Sequence, residues 1–485
     1  MKQIRSILVF YMFINFLSAQ RAIDSLGVAE DFIIFENILK KGHPNLYEYI
    51  SNDSLDYVFD LTKNQIKDTS DIDVYKTLLG ITNHIKDSHL VLLPPKILKK
   101  DQYYFPLSLK IINHHLYTDT DDFDIPVGSQ IIQINDQKSD HILEKLKKYI
   151  PADGHNLTRK YRMLEALFGE YYFYEFGLQK QFLITYRQLD GTEASIELPA
   201  ESSVKVKLRN AKRYSYFAKF HGEQNNFKFY THFIVNKSPF TLFKKELNTA
   251  VLVVNSFAGD TRVFKSHVED IFKEIEQQKI QNLVIDIRNN KGGFRSNTIS
   301  LYSHITNKPF KQITSEFVAS LSIPEKKHAI RSFSNEKQVL KAKFNNHPVY
   351  DGWKFNFDDL ETMMIPSQNK FTGKVYVLIG GATSSEASIF ALNAKNNKNI
   401  TLLGEETGGG YYFSNGELPV YYELPNSKIK VIMNMQKNNH YITDKNVPKG
   451  SGVMPDKHIN MSVEHLTLSK DPLLDYIFRL IKGNN

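Results

Sequence analysis

The spacing of hydrophobic residues predicts helices in the first part of the chain, residues 22–100. Apolar side chains recur near helical spacing in Phe32–Leu39 and in Leu55–Ile66, and Tyr75–Ile85 has the same pattern. Gly42–Pro44 would end the first of these helices, because a proline cannot continue one. This part of the chain, taken as residues 21–100, is therefore expected to be a helical domain.

Residues 101–200 have a different pattern, with short runs of alternating residues that predict β-strands. Pro106–Ile111 and Phe182–Tyr186 have the composition of strands. Between them, Val127–Asp136 combines a glycine, apolar alternation and a turn, as in the carboxylate-binding loop region of a PDZ domain. A PDZ-like domain and any other small β-rich domain fit this pattern equally well.

From residue 249 onwards, strands alternate with helices, which is typical of an α/β core. The predicted strands are Ala250–Val254, Leu283–Ile287, Val375–Ile379 and Ile400–Leu403, and the predicted helices are Phe264–Ile275 and Glu386–Lys395. Residues 307–370 have no regular pattern and are expected to be irregular. We therefore expect an α/β core within residues 201–485.

The first twenty residues have the order of a secretory signal peptide. Lys2 and Arg5 precede the apolar run Ile7–Leu17, and small residues follow in Ser18–Gln20. The run is too short to span a bilayer, which needs about 20 apolar residues. We expect cleavage of residues 1–20, no integral membrane segment afterwards, and a periplasmic or secreted protein. A buried N-terminal helix and an uncleaved anchor are the alternatives.

Composition narrows the class of protein further. The chain has 485 residues, a formal net charge of +8 and no cysteine. The absence of cysteine excludes disulfides, thiolate metal sites and a cysteine nucleophile. Since no basic run is interleaved with aromatic residues, a nucleic-acid partner is not expected.

Gly380–Ser388 carries the strongest indication of chemistry. A buried strand ends at two glycines, and a turn of small residues opens a helix. A serine in this turn would lie at a helix N-terminus, where unpaired N–H groups and the helix dipole favour the oxyanion of an acyl transfer. The alternative is that Thr383, Ser384 and Ser385 only cap the helix.

A second strand ends at Asp286–Gly293, which also opens into glycines. Glycines allow backbone N–H groups to approach a ligand closely. This loop could complete an oxyanion hole, and a plain turn is the alternative.

Four segments, in this order, resemble the peptidase family that contains the C-terminal processing (tail-specific) proteases and the tricorn core protease. They are Asp286–Gly293 (DIRNNKGG), Gly381–Ala387 (GATSSEA), Gly404–Gly410 (GEETGGG) and Gly450–Asp456 (GSGVMPD). The resemblance implies a crotonase-like α/β core, with helical and PDZ-like parts before it.

The resemblance also implies roles for individual residues. Ser385 would be the nucleophile, with Ser384 as its nearest rival. The N–H group of Glu386 and that of Gly292 or Gly293 would hold the oxyanion.

The general base separates two branches of the family. Tail-specific proteases use a lysine, and the matching position here is Gly410. Lys395 lies ten residues beyond Ser385, or roughly 15 Å along a helix, which is out of hydrogen-bond reach. The tricorn-like branch uses a histidine, and Ile85–Val91 (IKDSHLV) matches its segment. His89 is therefore the predicted base.

A third catalytic member is not fixed by the sequence. Some relatives orient the histidine with a carboxylate near the closing motif, but Lys449 stands at that position here. Asp444, Asp456 and Asp87 are the candidates. A Ser–His dyad oriented by the backbone or by water is the alternative.

The sequence therefore predicts an exported serine endopeptidase that forms an acyl-enzyme on Ser385 and acts on a polypeptide substrate. No cofactor or metal is expected, since no His-Glu-x-x-His spacing occurs and the acidic run Asp119–Asp124 beside His114 and His115 is better explained as a solvated loop. The alternative is an inactive protein that binds peptides or apolar ligands, as does the similar retinoid-binding protein of the interphotoreceptor matrix. The sequence does not predict an oligomeric state.

Overall fold

The computed structural model describes residues 22–95, 103–120, 122–213, 239–357, 363–468 and 470–483. The predicted signal peptide, residues 1–20, lies outside the described residues. Among the described residues, no helix combines the length and the apolar character that crossing a bilayer requires.

The described residues form α-helices and β-strands throughout the chain. The helices are α1 (Ser25–Gly42), α2 (Asn52–Lys63), α3 (Asp71–Ile85), α4 (Ser139–Leu146), α5 (Thr158–Phe176), α6 (Ser203–Arg213), α7 (Thr261–Gln277), α8 (Arg295–Ser303), α9 (Glu336–Phe344), α10 (Glu386–Lys395), α11 (Val463–Thr467) and α12 (Pro472–Gly483). The strands up to the start of the core are β1 (Ala22–Ile23), β2 (Thr69–Ser70), β3 (Val91–Leu93), β4 (Tyr103–Tyr104), β5 (Leu109–Ile112), β6 (His115–Thr118), β7 (Gln130–Ile134), β8 (Gln137–Lys138), β9 (Gln181–Arg187), β10 (Glu193–Pro199), β11 (Glu201–Ser202) and β12 (Phe240–Lys244). The remaining strands are β13 (Thr249–Val253), β14 (Asn282–Asp286), β15 (Ile313–Val318), β16 (Ala329–Arg331), β17 (Pro348–Val349), β18 (Gly352–Asn356), β19 (Lys374–Ile379), β20 (Ile400–Gly404), β21 (Phe413–Glu423), β22 (Lys430–His440) and β23 (Lys457–His458).

The N-terminal helices α1 to α3 follow the predicted pattern. Asp24 and Ser51 cap the first two, since each side chain accepts a hydrogen bond from a backbone N–H three residues later. Helix α3 ends where Lys86 adopts a left-handed conformation with φ of 59°. The following loop, residues 87–90, therefore leaves α3 sharply and leads into β3.

An antiparallel sheet is built from residues 109–199, in the order β10-β9-β7-β6-β5, with β8 on β7. This agrees with the strands predicted in this region. Helix α5, which is 19 residues long, was not predicted there. Its aromatic residues are frequent on more than one side, which hides the helical period.

A second sheet forms the centre of the C-terminal half, in the order β12-β13-β14-β19-β20-β23. Its strands are parallel except for β12. Leu283 and Ile285 of β14 pack in one core with residues of α7, α8 and α10, whereas Val284 packs against α12 on the other face. Burial on both faces explains why these strands are continuous apolar runs.

The parallel strands place three of the family-like motifs at one edge of this sheet. β14, β19 and β20 are in parallel register, and they end at Asp286, Ile379 and Gly404. Ligands and catalytic groups of open parallel sheets lie beyond such carboxyl ends.

A third sheet, in the order β16-β21-β22-β15-β18-β17, is antiparallel, and β3 adds to it by pairing with β22. It corrects the expectation that residues 307–370 are irregular, because β15 to β18 and α9 lie there. Three of these four strands are partly or fully exposed, so they lack a clear apolar alternation.

Candidate active site

Ser385 occupies the turn between β19 and α10 in a strained conformation, with φ of 54° and ψ of −131°. Such backbone strain in a residue other than glycine is concentrated at functional sites. The Ser385 side chain makes no capping hydrogen bond to α10, which argues against a purely capping role. The turn is held by Thr383, whose hydroxyl donates to Ile287 O at 2.9 Å.

Asn290 connects the loop after β14 to this turn. Its backbone carbonyl accepts from Ser384 N at 3.1 Å, and its side-chain amide donates to Val254 O at 2.9 Å. Its Oδ1 atom accepts from Gly292 N at 2.8 Å. The sequence analysis gave this fully buried residue no role, although its place in the DIRNNKGG motif could have indicated one.

The backbone N–H groups near Ser385 differ in whether they already donate a hydrogen bond within the described residues. Gly292 N–H donates to Asn290, whereas no hydrogen bond from Gly293 N–H or Glu386 N–H is found among the described residues. A Cβ on Gly292 would lie 2.7 Å from Ser385 Cβ, and one on Gly293 would lie 2.1 Å from Phe257 C. Both positions therefore require glycine, and the loop packs directly on the serine.

His89 and Ser385 lie close together beside β21 of the third sheet. A Cβ built on Gly416 of β21 would be 3.4 Å from His89 Nε2 and 3.5 Å from Ser385 Oγ. The two side-chain atoms are therefore at most roughly 7 Å apart. The His89 side chain is only 17% exposed, and Nε2 is its atom nearest to the Cβ position of Gly416.

The other ring nitrogen of His89 contacts polar groups. Nδ1 lies 3.2 Å from Ser88 Oγ and 3.9 Å from Asp87 Oδ1. Asp87 Oδ1 also accepts from the backbone N–H of His89 at 2.8 Å. Of the three carboxylates considered from sequence, Asp87 is the one that contacts His89.

Asp87 is itself held by a second histidine. Its Oδ2 atom lies 2.9 Å from His43 Nε2 and 3.1 Å from Asn415 Nδ2. Because His43 Nδ1 accepts from Asn45 N at 3.1 Å, the proton of neutral His43 is on Nε2 and points at Asp87. Burial acts to raise the pKa of Asp87, but the hydrogen bond from His43 and the two nearby imidazoles lower it overall.

Asp153 is a buried carboxylate of the site that the sequence analysis missed. Its oxygens accept from Ser88 N at 2.7 Å and from Gly410 N at 2.9 Å. Burial is the main cause that raises the pKa of Asp153, and the negative charge of Asp87 raises it further. His89 and the hydrogen bonds from the N–H and hydroxyl groups of Ser88 partly offset this rise. Asp153 lies in a turn outside all the motifs, so only three-dimensional contact identifies it.

The other sequence candidates have different partners. Asp456 accepts from Lys395 Nζ at 2.5 Å and from Leu402 N at 2.8 Å, and Asp444 accepts from Asn446 N at 2.9 Å. Lys449, at the position of the relatives' carboxylate, is 84% exposed.

Among the other histidines, His440 is buried with Nδ1 bonded to Tyr411 O at 2.9 Å. Burial lowers the pKa of His440 to about 4. It is therefore a neutral structural residue at physiological pH.

The donor atoms of Asp87, His89 and Asp153 lie within 4.8 Å of one another, close enough for a metal ion to be considered. However, both oxygens of each carboxylate already accept hydrogen bonds from N–H groups. N–H donors aimed at every oxygen favour a hydrogen-bond network over a cation site.

Glu386, which follows the serine, is buried and has an unusual charge environment. Its pKa is raised to about 7, mainly by burial and also by the negative charge of Glu417. The positive charge of Arg295 and a hydrogen bond from Thr298 partly offset this rise. The carboxyl group is therefore partly protonated near neutral pH.

Comparison with known proteins gives a family match and a structural match. Residues 248–459 match peptidase family S41. The fold is similar to mature CPAF complexed with lactacystin, with a TM-score of 0.64 and 11% identity over 94% of this chain and 98% of that chain. A putative peptidase from Parabacteroides merdae has a TM-score of 0.49 and 12% identity, covering 94% of this chain and 96% of that chain. No curated protein matches the chain.

The α/β core, with a strained serine beside glycine-rich loops and a histidine, is the arrangement of a serine hydrolase. The match of residues 248–459 to peptidase family S41 confirms the family predicted from the four motifs. The protein is therefore a serine-type peptidase, and the predicted class of substrate, a polypeptide, follows from the family.

Proposed function

We propose that the protein is an endopeptidase in which Ser385 is the nucleophile and His89 is the general base. The observation that carries this proposal is the position of Gly416, against which both Ser385 Oγ and His89 Nε2 pack. A neutral imidazole can accept the serine proton at neutral pH, and such contacts are often loose before substrate binds.

Asp153 and Ser88 are proposed to position the base. For Nε2 to accept a proton, neutral His89 must carry its own proton on Nδ1, which lies 3.2 Å from Ser88 Oγ. The Ser88 hydroxyl in turn interacts with Asp153. This chain of contacts fixes the productive tautomer, and Asp87 holds the backbone of His89 in place.

The oxyanion is proposed to bind to Gly293 N–H and Glu386 N–H. Both groups are without a hydrogen bond among the described residues, whereas Gly292 N–H is bonded to Asn290. Gly292 remains essential to the arrangement, because its missing side chain lets the loop approach Ser385.

The reaction follows from these positions. Ser385 Oγ would attack the peptide carbonyl while His89 Nε2 takes its proton, and the carbonyl electron pair moves to the oxygen. Collapse of this intermediate would break the C–N bond, and the amine would leave with the proton from His89. Water, activated by the same histidine, would then hydrolyse the ester.

We further propose a crotonase-like core, a PDZ-like sheet and export of the protein. A crotonase-like core is supported by the parallel sheet, and a PDZ-like role for the sheet of residues 109–199 is supported by its antiparallel strands. Export is supported by the sequence of residues 1–20 alone.

Labelling with a fluorophosphonate probe tests the proposal, because such probes react with an activated serine. We expect the unaltered protein to be labelled and labelling to be lost in Ser385→Ala and His89→Ala, with Ser384→Ala retaining it. Labelling that survives His89→Ala would remove the base assignment. An unaltered protein that is never labelled but binds peptides would favour the inactive ligand-binding alternative.

A further inference from the structure

A cavity of about 210 Å³ lies behind the loop that carries His89, between α3, β3 and the start of α5. We call it the basic cavity; its lining includes the basic residues Lys86, Lys148, His155 and Lys160, the buried Asp87, and three leucines, Leu79, Leu90 and Leu92. Of these side chains only Asp87 belongs to the proposed peptidase site, and its oxygens already accept hydrogen bonds from His89 N, His43 and Asn415.

Two ammonium groups of the basic cavity have no counter-ion among the described residues. Among the residues that the structure describes, neither Lys86 nor Lys160 has a carboxylate within 4.0 Å, in contrast to Lys148, which is paired with Glu175 at 2.6 Å. Lys160 Nζ donates to Asn83 Oδ1 and to Lys147 O, each at 3.1 Å. An ammonium group has three protons, so one remains for a further acceptor.

The Lys86 ammonium group adds donors to the same space. Lys86 Nζ donates to His155 Nδ1 at 3.2 Å, which fixes the remaining proton of neutral His155 on Nε2. Burial and the ammonium groups of Lys147 and Lys86 lower the pKa of Lys160 to about 8, although Glu144 acts against this. An anion in the cavity would relieve the repulsion between these groups.

The floor of the basic cavity is apolar. Leu79, Leu90 and Leu92 line it and are almost fully buried. An anion that is hydrated on all sides would gain nothing from this floor, whereas an aliphatic chain would be stabilised there by leaving water. The lining therefore favours a ligand with one anionic end and a short apolar tail.

We propose that the basic cavity binds a carboxylate with a short aliphatic tail, its oxygens held by Lys86 and Lys160 and its tail on the leucine floor. A free short-chain acid and the C-terminal residue of a peptide share this chemistry. The site lies apart from Ser385 and does not depend on the proposed function.

Calorimetric titration of the Ser385→Ala protein tests the proposal, since this variant leaves peptides intact. The probes are hexanoate, its neutral analogue hexanamide, acetyl-Ala-Ala-Leu with a free carboxylate, and the amide of that peptide. Hexanoate should bind at least about tenfold more tightly than hexanamide, a difference that corresponds to the loss of one ionic contact. Binding of the peptide carboxylate alone would identify a peptide end as the source and would also support the site.

Lys160→Met and Lys86→Met should each weaken carboxylate binding at least about tenfold. Lys148→Met is the matched control, because Lys148 lines the same cavity but is already ion-paired, and it should leave affinity unchanged. Thermal unfolding of each variant checks that it is folded, and two independent lysine variants keep the test valid if one is not. Absence of binding by both carboxylates, binding of a carboxylate no tighter than that of its own amide, or unchanged affinity in both folded lysine variants would overturn the proposal.

Discussion

Asp153 holds backbone N–H groups from two separate parts of the site, Ser88 and Gly410. In Asp153→Asn the side chain keeps its size but loses one acceptor and its charge. We expect kcat to fall by about 10²-fold or more with a smaller change in KM, because the His89 tautomer is no longer fixed. Steady-state kinetics on a peptide substrate measure this split.

Asp444→Asn is the matched control for that prediction. Asp444 was a candidate from sequence, but its carboxylate accepts from Asn446 N and does not contact His89. Its replacement should leave kcat and its pH profile unchanged. Equal kinetics for Asp153→Asn and the unaltered protein would contradict the positioning role of Asp153.

The sequence predicts some residues of the site and not others for a physical reason. Ser385 and Gly292 lie where a strand end, a turn and a helix start follow one another, a local order with a chemical meaning, whereas His89 is predicted only from the resemblance of Ile85–Val91 to the family's segment. Asp153 accepts a hydrogen bond from Gly410 N, and Asn290 donates one to Val254 O, so both act on residues distant in sequence. No periodicity records such contacts, so the carboxylate beside the base was sought at Asp444, Asp456 and Asp87 alone.

At the scale of elements, β21 brings a glycine against both proposed catalytic side chains. In Gly416→Ala the new Cβ would lie 3.4 Å from His89 Nε2 and 3.5 Å from Ser385 Oγ. These are ordinary contact distances, so the protein should fold. The methyl group occupies the space of proton transfer, and we expect kcat/KM to fall about tenfold to 10²-fold.

Peptide hydrolysis and thermal unfolding, measured side by side, check this prediction. Activity should fall while Tm changes by no more than a few degrees. Unchanged activity in a folded Gly416→Ala protein would show that catalysis does not occur in the space between His89 and Ser385.

Helix α3 offers a stability prediction outside the site. Gly80 lies exposed within α3, and a Cβ added there would meet no atom within 4 Å. Since alanine favours a helix interior by about 1 kcal/mol over glycine, Gly80→Ala should raise the free energy of unfolding by up to that amount. Urea unfolding measures the change, and peptidase activity should stay the same. A destabilised Gly80→Ala protein would contradict the prediction, because it would mean that the surroundings of Gly80 are not open.

Which elements the sequence predicts depends on how they are buried. β13, β14, β19 and β20 are buried on both faces and form continuous apolar runs, so they were predicted almost to the residue. The strands within residues 307–370 are short or half-exposed and pair with distant partners. Their stability comes from the third sheet rather than from their own pattern.

At the scale of the whole molecule, the third sheet brings the proposed base, His89, towards the proposed nucleophile, Ser385. β3 begins two residues after His89 and pairs with β22 through Val91↔Ile432 and Leu92↔Val431. The same sheet carries Gly416 on β21, which pairs with β22 along most of its length. A three-residue strand gives almost no signal in sequence, so the motif at Ile85–Val91 was recognised by resemblance while its partner strand was not.

Two buried groups contribute to the pH dependence of global stability with opposite effects. His440 has a folded pKa of about 4 and an ordinary value of 6.5, so the unfolded chain binds more protons between these pH values. Stability is therefore lost as pH falls from 6.5 to 4, by an amount on the order of 3 kcal/mol. Glu386, with its pKa raised from 4.5 to about 7, acts in the other direction, because the folded chain binds more protons between 4.5 and 7.

Two variants separate these contributions. In His440→Asn, the amide can still donate to Tyr411 O but does not titrate, so the free energy of unfolding should fall less between pH 6.5 and pH 4 than in the unaltered protein. In Glu386→Gln it should fall more steeply between pH 7 and pH 4.5, because the stabilising protonation of the carboxylate is absent. Urea unfolding followed by circular dichroism at half-unit pH steps measures both curves. If the free energy of unfolding of His440→Asn changes with pH in parallel with that of the unaltered protein, His440 is protonated in the folded state. That result would contradict the burial of His440 between Tyr411 and Ser414.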